Sequence, residues 1–548
     1  MPSATPHVYS ATPRPSKRLV IFCDGTWVGR ETQVAGAPFS NIRQLANMVG
    51  EVQYSSESRA EPGEVHTIRP HASVSSDAAS ATDSLAGLVS GAVNTSSVDD
   101  PSAVDSSAVV PNSNTSDTII AGYQEGTGLN SNFVEYIWDG ATASALSTEC
   151  INVYKFIVTH YTLDHEIWLF GFSRGSFTVR CVAGMLNNCG IIRRLPSYSE
   201  AEIDSLCSEV FRTYRSSIPS DAPQSPECVD RRKNADRIWQ VARPIRFMGI
   251  IDTVGSLGIP RLSAGVGFDW APFEFFDLHM SSAVQYVYHA PALHDRLWMF
   301  QPCLVLPGSG GEAAVVRQKW FPGTHYDVGR QTFRFVKQSP VNWIEKVLGL
   351  LPDLLSQTVF PNEVLSDTVL RWIVQGIQTV DEDSLNPIIP TVPEEIQRLT
   401  NRIAAPAPNT TGSGDIYGNI LDYAPGGIVV DFVHRMSTAA ISFLNGIFPR
   451  LGDNIRDALG IKTIIGILTA TADRRIPGVK ADVYAYTVKE AVMGGNPSVK
   501  GVEAFSVEEQ AKMERADVRG QGRYASRTLE NWLLWKRVFG GGDDDVVS

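Results

Sequence analysis

The sequence predicts an α/β protein, a mostly parallel sheet flanked by helices. Three observations point there. Apolar runs of strand length recur up to about residue 321, each closed by a turn, and unbroken apolar runs are what strands buried on both faces look like. Helix-patterned segments lie between several of these runs, the alternation that builds parallel sheets. Polar residues capable of chemistry stand where runs end, at the carboxyl edge where such sheets hold their sites.

The first run, 17–23, ends in Asp24-Gly25-Thr26-Trp27. Ser40-Asn41 then offers an N-cap for a helix through Ile42, Leu45, Met48 and Val49. From 54 to 117 Ser, Ala, Asp, Val and Thr dominate and no Phe or Trp occurs. Such a stretch buries too little apolar surface to offset its conformational entropy, so it is expected to be a disordered insertion. Core patterning resumes at 118–123, followed by a helix over 148–161 and a strand over 166–172. Directly after that strand comes Ser173-Arg174-Gly175, then a helix through Val179, Val182, Met185 and Leu186. Further strands are expected at 245–251, ending in Asp252, and at 315–321, leading into His325. Beyond about residue 336 the pattern turns helical, over 341–355, 365–377, 428–448 and 455–470, with a Pro, Thr and Gly-rich break at 404–414.

Composition excludes several function classes. The chain carries 59 acidic and 47 basic residues, a net charge of −12, and so has no electrostatic reason to seek nucleic acid. Its seven cysteines include no C-x-x-C pair, against a disulfide scaffold or a cysteine zinc site and in favour of a reducing compartment. The residues before 18 hold no apolar signal core, and no stretch reaches the roughly 18 uncharged apolar residues of a spanning helix. A soluble, cytoplasmic protein is the expectation. His160 and His165, like His289 and His294, are five apart and do not share a helical face, so no metal is expected. No phosphate-loop sequence is present, and no cofactor is implied. The aspartyl-phosphate signature is excluded because Phe22 stands where its nucleophilic carboxylate would be.

Gly171-Phe172-Ser173-Arg174-Gly175 matches G-x-S-x-G, in which a serine sits on a strained strand-to-helix turn. Gly171 and Gly175 would relieve crowding there, and the Arg174 N–H would help bind an oxyanion. Asp252, at the end of its strand, suits the carboxylate that holds an imidazole, unless it merely caps a helix or turn. His325, in a glycine-bounded loop, suits a general base, unless it only packs. Serine, aspartate, histidine is the chain order of α/β-hydrolases. Asp252, Asp295 and Asp327 all lie after Ser173; Asp252 is preferred because a close neighbour of His325 seldom reaches the far imidazole nitrogen. His289 reads as structural or as a donor to substrate.

These residues, with Leu19–Trp27, Ser40-Asn41-Ile42, Tyr123–Gly128, Leu169–Gly175, Asp252–Gly258, Tyr288-His289-Ala290 and Trp320–Gly329, carry a resemblance. Over about 17–335 the chain resembles an uncharacterised α/β-hydrolase family that includes the catalytic domain of type VI secretion phospholipase effectors. The resemblance implies Ser173 as nucleophile, Asp252 as acid and His325 as base. It places the Asp24-Gly25-Thr26 turn to supply the second oxyanion N–H. One departure bears on the pocket rim: Arg330-Gln331 stands where the family usually continues with glycines. The division expected is a disordered tail over 1–16, a catalytic domain over 17–335, and a mainly helical 336–548. That last part, with its apolar 347–355 and 441–448 faces, is either a cap or a membrane-docking surface. The expected activity is cofactor-free hydrolysis of a carboxylic ester through an acyl-enzyme. The substrate is a lipid or phospholipid, or else a small soluble ester or thioester. A non-catalytic interaction module is the contrasting class.

Overall fold

Lys17–Cys23 (β1) is buried beyond its first residue, as a central parallel strand must be. It lies inside an eight-stranded sheet in the computed structural model. The structure describes residues 15–26, 28–29, 37–54, 63–71, 118–126, 141–254, 261–262, 268–269, 280–292, 295, 302–306, 314–321, 323–334, 358–382, 384 and 386–407. After β1 come Asn41–Val49 (α1), Gly50–Val52 (β2), Val65–Pro70 (β3), Ile119–Gln124 (β4) and Ala141–His160 (α2). His165–Phe172 (β5), Arg174–Cys189 (α3), Glu200–Tyr214 (α4), Pro226–Lys233 (α5) and Ile245–Ile251 (β6) follow. Val284–Ala290 (β7), Val315–Gln318 (β8), His325–Gly329 (α6), Glu363–Asp381 (α7) and Val392–Ala404 (α8) complete the set.

Across the sheet the order is β8-β7-β6-β5-β1-β4-β3-β2. The strands from β8 to β4 are all parallel, and β3 runs against both β4 and β2. The chain leaves β1 toward β4 on one side and returns to β5 on the other. The crevice at the carboxyl ends of β1 and β5 is therefore a topological switch point, the usual place for a ligand in an open sheet. Alternation along the central strands divides the core in two. Leu19, Ile21, Leu169 and Ile250 face the helices α2, α3 and α4. Val20, Phe22, Phe170, Phe172 and Phe247 face α1 and α7.

Two sequence-based expectations need correcting. The first concerns 54–117: Val65–Pro70 is a strand in register with β4, His66 opposite Tyr123 and Ile68 opposite Ala121. An antiparallel strand near a sheet edge buries only alternate side chains, here His66 and Ile68, so it leaves little trace in average composition. Residues 72–117 lie outside the described residues. The second is the division after residue 335. Val369, Leu370, Ile373, Val374 and Ile377 of α7 are buried against the sheet. At about 1.5–3 kcal/mol for each such side chain, their burial is comparable to the whole stability of an ordinary domain. Helix α7 is thus a layer of the same core and not a detachable cap. The segments at 341–355, 428–448 and 455–470 lie outside the described residues. Among the described residues, no helix is long and apolar enough to cross a membrane.

Candidate active site

Strand β5 ends at Phe172 and α3 begins at Arg174, so Ser173 alone makes the turn, with φ 56° and ψ −122°. A non-glycine residue at positive φ costs of order 1–3 kcal/mol and persists where its surroundings overdetermine it. Its N–H donates to the Ile251 carbonyl at 3.0 Å and its carbonyl accepts from Phe177 N–H at 3.3 Å. The flanking glycines are needed for close approach. A Cβ at Gly171 would stand 2.6 Å from the Gly175 carbonyl oxygen, and one at Gly175 would stand 2.1 Å from that of Cys23.

The next strand, β6, delivers Asp252, also at positive φ (39°), with its N–H on the Ala290 carbonyl of β7 at 2.9 Å. His325 opens α6 behind the N-cap Thr324. Its Nδ1 lies 2.6 Å from Asp252 Oδ2 and its Nε2 lies 2.8 Å from Ser173 Oγ. Phe172 stacks on the imidazole at 4.7 Å between centroids. All three polar residues are buried. A carboxylate at Nδ1 assigns the proton to that nitrogen, which leaves Nε2 to accept from the serine hydroxyl. Such an imidazole can withdraw the serine proton, and the carboxylate then stabilises the cation that forms.

The other two candidate acids also grip this turn, each differently. Asp295 Oδ2 accepts the backbone N–H of His325 at 3.0 Å. Asp327 Oδ2 accepts the N–H and hydroxyl of Thr324 at 3.0 and 2.9 Å, and its Oδ1 accepts Asn362 N–H at 2.9 Å. Asp327 thereby joins the histidine turn to the start of α7. In Asp327→Asn an amide NH₂ must face one of these donor sets. We expect a loss of about 1–3 kcal/mol in urea unfolding, the cost of orphaned buried donors, with kcat within tenfold of wild type.

Arg330, where the resemblance led to glycine, takes the left-handed conformation glycine favours (φ 58°, ψ 46°). Its guanidinium is buried and turned to α7, with Nη1 2.5 Å from Asp367 Oδ1 and Nη2 on Glu363. Arg402 of α8 joins the same carboxylates, its Nε 3.0 Å from Asp367. The Asn41 amide adds bonds to the carbonyls of Val328 and Ser366, at 2.8 and 2.9 Å. The departure at residue 330 therefore fastens the histidine turn to α7, while Asn41 ties it to α1. Gln331 donates to the Thr26 carbonyl at 2.8 Å, linking that turn to the one after β1.

The residues expected around an oxyanion divide. Arg174 opens α3, so its N–H belongs to the first turn, where no intrahelical acceptor exists. Its guanidinium is paired with buried Glu149 at 2.9 Å. Gly25 packs against the serine: a Cβ there would lie 3.0 Å from Ser173 Cβ. Its N–H, however, donates to Asp24 Oδ1 at 2.9 Å, so of the two turn residues Gly25 has its donor engaged. Among the described residues the Thr26 N–H has no acceptor. His289 is structural: Nδ1 meets Gln318 Oε1 at 2.9 Å and Nε2 accepts from Thr253 N–H at 3.4 Å. Sequence reasoning named Asp24 only as part of the turn after β1, Asn41 only with the α1 cap and Gln331 only in the departure after Gly329, and gave none of them these bonds.

The family model described as the catalytic domain of Tle1-like phospholipase effectors of the type VI secretion system matches residues 88–376, more than half of the chain. The uncharacterized protein YEL023C of Saccharomyces cerevisiae is 24% identical over 181 residues, 33% of this chain and 24% of the yeast protein. The chain thus matches about a quarter of that relative's length. Among solved structures, the Tle1 effector bound to the VgrG spike of the type 6 secretion system is 14% identical. That likeness covers 60% of this chain and 55% of the effector, with a TM-score of 0.24. An uncharacterized protein from Pseudomonas aeruginosa is 12% identical over 95% of this chain and 66% of its own, with a TM-score of 0.30.

Proposed function

We propose, because the chain belongs to the family of Tle1-like type VI secretion phospholipase effector catalytic domains, that it is an α/β-hydrolase cleaving carboxylic esters of phospholipids through an acyl-enzyme on Ser173. The observation that carries this reading is the hydrogen-bonded chain Ser173–His325–Asp252, with links of 2.8 and 2.6 Å. In the reaction proposed, His325 Nε2 takes the hydroxyl proton as Ser173 Oγ attacks the ester carbonyl. The oxyanion that forms is met by the N–H groups of Arg174 and Thr26. His325 returns the proton to the departing alcohol, and water activated by the same nitrogen then releases the fatty acid. Asp252 holds Nδ1 protonated throughout and stabilises the imidazolium. Lipid is reached from the bilayer surface.

The test is labelling of the full chain with a fluorophosphonate, the adduct located by peptide mass spectrometry. Fatty-acid release is then measured from phosphatidylcholine, phosphatidylethanolamine and phosphatidylglycerol vesicles, beside a short p-nitrophenyl ester and an acyl thioester. We expect the label on Ser173 and release from vesicles. Turnover of the small soluble substrates alone would move the substrate class, and absence of both label and turnover would leave a non-catalytic module.

A further inference from the structure

One acid beside Ser173 has no part in the chemistry above. Asp24 follows β1 and is buried between β1, β4 and α1. Its Oδ1 accepts Gly25 N–H at 2.9 Å; its Oδ2 accepts the Tyr123 phenol at 2.9 Å and the Ser40 hydroxyl. Ser40 is also the N-cap of α1, its Oγ accepting Arg43 N–H at 3.0 Å. The turn beyond Asp24 is pinned further along. Val28 N–H donates to the Gly25 carbonyl at 3.0 Å and Gly126 N–H to that of Val28 at 2.9 Å. Gln331 holds the Thr26 carbonyl.

We propose that Asp24 is a positioning residue for the oxyanion site: by taking the Gly25 N–H it sets the turn so that Thr26 N–H is the second donor beside Arg174 N–H. This rests on the esterase reading of Ser173. With the Gly25 N–H on Asp24 and the Gly25 carbonyl on Val28, the planar trans peptide directs Thr26 N–H away from that carbonyl, out of the turn. Donors fixed before reaction are what stabilise a developing oxyanion, because no reorganisation remains to be done.

The ionised form of Asp24 is the one suited to this task, since only a carboxylate takes three donors without offering a proton of its own. Burial opposes it. Desolvation pushes Asp24 up to about 6, against the bonds from Ser40, Gly25 and Tyr123 and the charge of Arg43. The other titratable groups facing it, the Tyr123 phenol of β4 and the adjacent Cys23 thiol, are both raised by burial and stay neutral in this range. Its native pKa exceeds the ordinary 3.8. Its contribution to stability is therefore full below that value and is lost as pH rises through about 6. At neutral pH the protein keeps a charge here that burial disfavours.

Asp24→Ala and Asp24→Asn in the full chain separate the two roles, because alanine removes the acceptor of the Gly25 N–H while asparagine keeps an oxygen for it. We expect kcat of Asp24→Ala on an ester to fall about 10- to 100-fold with KM within threefold, in line with impairing one oxyanion donor, and Asp24→Asn to recover most of that loss. Affinity of Asp24→Ala for an alkylboronic acid, whose Ser173 adduct places an oxygen in the oxyanion site, should fall by the same factor. The Tm of Asp24→Asn at pH 8 should match or exceed wild type, and any advantage should shrink as pH is lowered through about 6. Unchanged kcat in folded Asp24→Ala, or an equal loss in both variants, overturns the assignment. Ser173→Ala, run alongside, tells the two failures apart. If it still turns over, the esterase reading falls; if it is inert while Asp24→Ala behaves as wild type, only the role of Asp24 falls.

Discussion

Ser173→Ala is expected to lower kcat by about 10⁶-fold, the scale on which a serine–histidine pair loses turnover when its nucleophile is removed. Folding should barely change. The substitution deletes only Oγ, whose partner is His325 Nε2 at 2.8 Å, and keeps the backbone bonds to Ile251 and Phe177. Ser173→Gly should be equally inactive yet about 1 kcal/mol more stable, because φ 56° strains any residue with a Cβ. Initial rates on phospholipid vesicles and urea unfolding of the three proteins test both statements. Turnover of either variant within tenfold of wild type would remove Ser173 from the chemistry. A Ser173→Gly protein less stable than wild type would show that the turn stores no strain.

Asp252→Asn should cost about 10⁴-fold in kcat with little change in KM. The reasoning is geometric. An asparagine tolerates the positive φ of 39° at this position. It also keeps an oxygen for the Ala292 N–H now bonded to Oδ1 at 2.8 Å. What remains to face His325 Nδ1, in place of Oδ2 at 2.6 Å, is an NH₂ group. The imidazole must then accept at Nδ1 and carry its proton on Nε2, pointing at the serine hydroxyl it should deprotonate. The fold survives and the wrong tautomer is locked in. Steady-state rates for Asp252→Asn and Asp327→Asn on one ester decide the matter. A larger loss in Asp327→Asn would move the acid to that residue.

The elements legible in the sequence are those whose burial is forced by position in the sheet. Strands β1, β5 and β6 lie between two layers of helices, so nearly every residue must be apolar, and the runs are visible without knowing what they contact. Helix α1 announces itself through Ser40 and its spacing of Ile42, Leu45 and Val49, and α7 through an apolar stripe. Near the sheet's edges that force weakens. Strand β3 alternates buried and exposed positions within a stretch of small polar residues. Strand β7, one place from the opposite edge, carries Gln285, Tyr286 and His289 among its apolar residues. Strand β3 was invisible because a half-solvated strand need not be apolar; in β7 the apolar run is broken by Gln285 and by His289, which is buried and paired with Gln318.

The site divides along a similar line. By itself the sequence determined which residue types stand at strand ends, since an uninterrupted apolar run followed by Ser173 or Asp252 is a local property of the chain. What only the tertiary structure decided is which atom each side chain reaches. Asp252, Asp295 and Asp327 all follow Ser173 in order, and all three carboxylates touch the His325 turn. One meets the imidazole, one the backbone N–H and one the helix cap. Arg330 likewise reads in sequence as a change at a pocket rim, yet it is a buried tie to Glu363 and Asp367, more than thirty residues on. Hydrogen bonding discriminates over fractions of an ångström, and such distances are set by how separate layers pack, which separation along the chain does not encode.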